Sequence, residues 1–227
     1  VKAATAVARM FEALSRARRK RIFHPHGVGF AASLTPVGPG DLGASALESE
    51  SRALVRLSRS LGLPEWLPDP CGLALRIPDA HGPGRHQDLL LVSSAEPPLA
   101  RHAILPARHF LDRPYSTLLP YRLGGRLVVI GAWARDGESR QTKLADLRER
   151  DAGGLVFDVA VASLRGPWRR VARLSLQGRL GAAETERLDL DPTNTGGGLE
   201  LAGFLNRLRG PSYRASQAGR EGAYRAL

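Results

Sequence analysis

The chain has 227 residues, 43% of them hydrophobic and 24% charged, a globular composition able to bury one substantial core. Its formal net charge is +11, almost all of the positive charge being arginine, which favours acidic partners; an aromatic content of 6% is too low for a stacking platform along a nucleic-acid strand, so nucleic acid is not indicated. No apolar run is long enough to cross a bilayer, and the single cysteine, Cys71, excludes an internal disulfide and leaves the cytoplasm as the default compartment.

Residues 1–20, VKAATAVARMFEALSRARRK, fit an amphipathic helix with Ala3, Val7, Met10, Phe11 and Leu14 on one side. Its basic residues follow the apolar patch, so it does not read as a signal peptide. GVGFAASL (27–34) alternates as a strand, and ALVRLS (53–58) is another short one before the proline-punctuated GLPEWLPDP. GLALRI (72–77) and DLLLVS (88–93) read as a strand pair joined by PDAHGPGRHQ. LARHAILPARHFLD (99–112) is helical in pattern, but Pro106 divides it into two short turns. RLVVIGAWAR (126–135), GGLVFDVAVAS (153–163) and WRRVARLSLQG (168–178) are the clearest strands, with a helix at 143–151 between the first two. ERLDLD (186–191) supplies an eighth strand, and after DPTNTGGG a final helix starts near Leu199. The pattern predicts an α+β fold: a mostly antiparallel β-barrel of about eight strands over 27–190, with a helix at 1–20 and another at 199–222, in a single domain.

Two clusters carry chemistry. RIFHPHGVGF (21–30) places His24 just ahead of the first strand, three residues after Arg21 and three before Gly27. At the other end, GFLNRLRGPSYRASQAGR (203–220), if helical, advances about 100° per residue and sets Arg209, Tyr213 and Arg220 on one face. A tyrosine between two guanidiniums has its phenolate stabilised, and a phenolate suits the axial position of ferric haem iron.

These blocks resemble the haem catalase superfamily, in particular its small catalase-related branch that includes organic-peroxide-dependent peroxidases. The family's Arg-x-x-His before a glycine and the first barrel strand is met by Arg21, His24 and Gly27. Its Val-Arg-Phe-Ser strand is met by Val55, Arg56, Leu57 and Ser58, and its Gly-Phe-Ala-Val-Lys and Asp-Leu strands by Gly72–Arg76 and Asp88-Leu-Leu. The proximal Arg-x-x-x-Tyr, with a further arginine seven residues on, is met by Arg209, Tyr213 and Arg220. The blocks occur in family order over 21–94 and 191–220.

The resemblance implies a catalase-like barrel, haem b as cofactor, and peroxidase or weak catalase activity toward hydrogen peroxide or organic hydroperoxides, with a small-molecule reductant. It assigns His24 as the distal acid–base residue and Tyr213 as the iron ligand, kept ionised by Arg209. Arg21 and Arg220 resemble guanidiniums that pair with haem propionates, Arg56 of the Val-Arg-Phe-Ser match counts among the cofactor-binding residues, and Phe23 narrows the distal pocket. Where the family carries an asparagine beside the distal histidine, this chain offers Ser93 or Ser94. A homodimer is compatible with the resemblance. The rival reading is the same barrel without haem, a basic binding protein for an acidic ligand or partner. An unrelated hydrolase ranks last: there is no His-x-x-x-His, Cys-x-x-Cys or Gly-x-Ser-x-Gly motif.

Overall fold

The computed structural model describes residues 26–38, 40, 42–43, 45–135, 142–149 and 154–203. In chain order the strands are β1 (His26–Pro36), β2 (Ser51–Arg59), β3 (Cys71–Ile77), β4 (Gln87–Ser93), β5 (Tyr115–Ser116), β6 (Tyr121–Leu123), β7 (Arg126–Ala134), β8 (Val156–Ser163), β9 (Arg169–Arg179) and β10 (Leu199–Leu201). Three short helices accompany them: α1 (Ser45–Glu48), α2 (Leu144–Glu149) and α3 (Ala182–Arg187). All strand pairs are antiparallel, in the order β10-β6-β7-β5-β4-β3-β2-β1-β9-β8. Because β7 also pairs with β8, the run from β7 round to β8 closes into an eight-stranded barrel, and β6 with β10 continues from β7 as a flap.

Side chains alternate across each strand, so one parity fills the barrel. Phe30 opposes Val55, Val55 opposes Leu75 and Leu75 opposes Leu89, forming one interior layer; Val28, Leu57, Leu73 and Leu91 form the next. All eight are buried in one apolar core that continues through Ile130, Phe157, Val159 and Leu174. Gly29 faces outward, and its missing side chain admits α3: a Cβ there would stand 2.6 Å from Thr185 Oγ1, which instead accepts the Gly29 N–H at 3.2 Å.

Seven of the predicted strands form, but the eighth member of the ring is the two-residue β5, not ERLDLD. The start of that segment belongs to α3, drawn onto β1 by the Thr185 contact. Of the turns expected in 99–112, a single 3₁₀ turn forms at Ala100–His102. Nor does a helix begin at Leu199. Leu199–Leu201 pair with Leu123–Tyr121 as β10, after Gly197 and Gly198 turn the chain at φ of 54° and 87°. The predicted helix over 1–20, and 199–222 beyond residue 203, lie outside the described residues.

One polar node ties the chain after α3 to the barrel. Asp88 is fully buried on β4 and receives Arg76 Nε at 2.7 Å and Arg76 Nη2 at 2.6 Å. It also accepts the Asp191 N–H and Asn194 Nδ2, each at 2.8 Å, while Arg76 reaches the Asp189 carbonyl at 2.6 Å. The carboxylate raises the pKa of Arg76, through its hydrogen bond first. Asp88→Ala leaves a guanidinium and two donors unmatched and should lower stability by about 3 kcal/mol in urea unfolding; an unchanged midpoint would refute this role.

Candidate functional site

The outward parity of β1–β4 carries an unusual set of side chains. Gly29 pairs with Arg56 and Arg56 with Ala74; one step along, Gly27 pairs with Ser58, Ser58 with Gly72 and Gly72 with Val92. Small residues on adjacent strands make a flat floor, and Arg56 lies across it. A Cβ built on Gly27 would sit 2.7 Å from the Arg56 guanidinium carbon and 2.8 Å from the Leu57 carbonyl oxygen. The side chain therefore extends toward the beginning of β1, two positions after His24 in the sequence. Arg56 is 2% exposed and Ser58 3%.

A buried guanidinium over glycine is suited to one ligand chemistry in particular. Its planar fork can take a carboxylate in two parallel hydrogen bonds, and the surrounding low dielectric strengthens them. Arg56 is thus the one predicted cofactor-binding residue that falls within the described region. His24, Arg21, Phe23, Arg209, Tyr213 and Arg220 lie outside it.

The two predicted serines do not join Arg56 on this face. Ser93 has the inward parity: its Oγ accepts the Cys71 N–H at 3.0 Å and donates to the Leu105 carbonyl at 2.5 Å. Ser94 is also fully buried, with Oγ 2.7 Å from the Ala103 carbonyl and 3.3 Å from that of Ala100. Both hydroxyls hold the 94–106 loop against β4. The β4 residue that does share the floor is Val92, directly opposite Gly72. Strand parity counted on from Asp88 places it there, whereas a polar counterpart of the family asparagine points to the serines that follow.

The inward end of the same strands is polar yet chemically quiet. Arg59 donates to the Leu67 carbonyl at 2.7 Å and lies 3.6 Å from the Asp69 carboxylate. Burial pushes the Cys71 thiol up to about 12, against the opposing pull of Arg59. Tyr115, also raised by burial, donates its hydroxyl to the Phe110 carbonyl at 2.7 Å. Neither is a nucleophile at neutral pH. Among the described residues no group of three or more His, Cys, Asp or Glu could hold a metal ion.

Two outcomes follow from this geometry. Gly27→Ala should destabilise the fold by about 1–3 kcal/mol by driving into Arg56 and the Leu57 carbonyl, measured by urea unfolding; an unperturbed variant would show that the guanidinium does not occupy that place. Cys71 should ignore a thiol reagent in the native protein at mildly alkaline pH and react fully once unfolded. Since its folded pKa lies above the ordinary 9.0, the thiol's contribution to stability is intact below that pH and is lost as pH climbs toward 12. Stability constant across that window would contradict the burial.

No protein-family model matches the chain, and no curated protein matches it by sequence. Solved structures do match. A fungal catalase is similar over 93% of this chain and 64% of its own, at 15% identity and a TM-score of 0.60. Catalase A from Saccharomyces cerevisiae is similar over 94% and 63%, at 14% identity and a TM-score of 0.62. A bacterial catalase is similar over 96% and 59%, at 16% identity and a TM-score of 0.57. The chain spans less than two thirds of the length of each of these proteins. Its fold is the catalase-like barrel.

Proposed function

We propose that this chain is a haem-b protein that reacts with hydrogen peroxide or organic hydroperoxides as a peroxidase, in a cytoplasmic setting and with a small-molecule reductant. The observation that supports it best is Arg56: a buried guanidinium on a glycine-floored outer face of a catalase-like barrel, beside the start of the strand that His24 precedes. That face fits a flat, carboxylate-bearing macrocycle. Gly72 and Ala74 put nothing larger than a methyl group on the face, and Arg56 offers the fork for a propionate, with Arg21 and Arg220 as its partners in that task.

Haem, when bound, supplies the iron at which a peroxide O–O bond is cleaved. The chain's own residues do the rest. His24 accepts a proton from one peroxide oxygen and returns it to the other as water or alcohol departs. Tyr213 would hold the iron through its phenolate, and Arg209 would stabilise that charge. Val92, opposite Gly72, would give this face an apolar patch, and Phe23, next to His24 in the sequence, would narrow the pocket. Ser93 and Ser94 act behind it, by fixing the loop that follows β4.

Apolar Val92 on the floor favours a second reading, in which the same face binds an acidic ligand without haem. Haem titration separates the two. Haem should give a Soret band that Tyr213→Phe alters, and Arg56→Ala should weaken haem binding about tenfold, as for a charge-assisted hydrogen-bonded pair. His24→Ala should abolish reaction with peroxide while haem still binds. A chain that yields no Soret band, or one indifferent to Tyr213→Phe, leaves the haem-free reading.

A further inference from the structure

The connection from β2 to β3 displays its apolar residues outward. Trp66 is 72% exposed, Leu61 52% and Leu63 37%, with Ile104 at 56% on the neighbouring loop. Paired backbone hydrogen bonds between Asp69 and Ala107 join the two loops at this end of the barrel. Such exposure would be unremarkable on a floppy loop, but this one is pinned. The fully buried Asp69 carboxylate accepts the N–H groups of Leu61 and Leu63, at 3.0 and 3.1 Å. Arg59 holds the Leu67 carbonyl, Leu67 N–H bonds Pro64 O, and Ser60 N–H bonds Pro70 O.

This pattern matters because a segment entering an apolar medium must bring its backbone hydrogen bonds with it. Prolines 64, 68 and 70 have no N–H to desolvate, and the N–H groups of Ser60, Leu61, Leu63, Leu67 and Asp69 are bonded within the protein. Arg108 and Arg113 are exposed on the adjoining loop. Of the acidic groups nearby, Glu65 is half-buried and Asp112 is engaged by His109 at 3.2 Å. Over the whole chain the charge is +11.

We infer that the β2–β3 loop is a membrane-docking element, which seats Trp66, Leu61 and Leu63 at the headgroup–acyl boundary of an anionic lipid surface, with Arg108 and Arg113 against the phosphates. Tryptophan suits that boundary because its ring is apolar and its indole N–H polar. Apolar insertion and electrostatic attraction add, as stable peripheral attachment requires. The inference is independent of the peroxidase reading.

The test uses the full chain and sedimentation with phosphatidylcholine vesicles, with and without phosphatidylserine. The protein should pellet with the serine-containing vesicles, and its tryptophan emission should shift to the blue. Leu61→Ser/Trp66→Ser should weaken that binding about tenfold or more, with the far-ultraviolet dichroism unchanged because both residues are more than half exposed. Arg108→Glu should weaken it too. Failure to pellet with either vesicle overturns the inference, as does undiminished binding by the double serine variant, which would mark adsorption through another basic face. Concentration-dependent dimerisation that needs Trp66, without lipid binding, also overturns it.

Discussion

Closure of the barrel rests on the two edges of β7, one taken by β5 and β6 and the other by β8. Once the ring is shut, each of its strands has one face toward a packed interior and one away from it, and a single residue's shift in register would exchange them. This constraint decides which side chains can serve a site. Val55 and Leu57 are committed to the core, so Arg56 between them has to point out. Ser93 shares the inward parity of Leu91, whereas Val92 shares the outward parity of Gly72. The chemistry available on the outer face is therefore set by alternation before any ligand is considered.

Around that constraint the molecule separates its polar groups by task. Asp88 with Arg76 fastens 189–194; Asp69 with Arg59 fastens 60–70; Ser93 and Ser94 fasten 94–106. Each is a buried acceptor or donor matched to backbone groups in a long connection, which keeps those connections ordered with little secondary structure of their own. Arg101 does the same from the other direction: its guanidinium lies 4.2 Å above the Trp168 ring and donates to the Gly166 carbonyl at 3.0 Å. Arg56 differs from these in lying along a glycine, on the face whose neighbours are small.

Much of the barrel was legible because its long strands alternate plainly. GVGFAASL, ALVRLS, GLALRI and DLLLVS each formed within two residues of their predicted ends. What misled was short or dictated from a distance. β5 is two residues long and carries no periodicity, and Tyr115 and Ser116 are strand residues because Ser93 and Val92 lie on one side of them and Ala132 and Gly131 on the other. ERLDLD alternates, yet Thr185 is drawn into a helix by the bare backbone of Gly29, 156 residues away. At the candidate site, the Arg56 position followed from its motif, while its packing over Gly27 depends on pairing that only the fold discloses. Likeness of side chain to the family asparagine favours the hydroxyls of Ser93 and Ser94, whereas alternation puts Val92 on the outer face.

The seam between β1 and β9 has a bearing on how the chain acquires its shape. β1 finds β2 within a short span, but its other edge pairs with residues 172–179, so the earliest strand must wait for the last one of the ring. Bringing such distant segments together incurs loop-closure entropy before any contact is gained, which makes assembly slow. On a ribosome, β1 to β4 would emerge as an open curved sheet, with one flank bare until nearly all of the barrel had been synthesised.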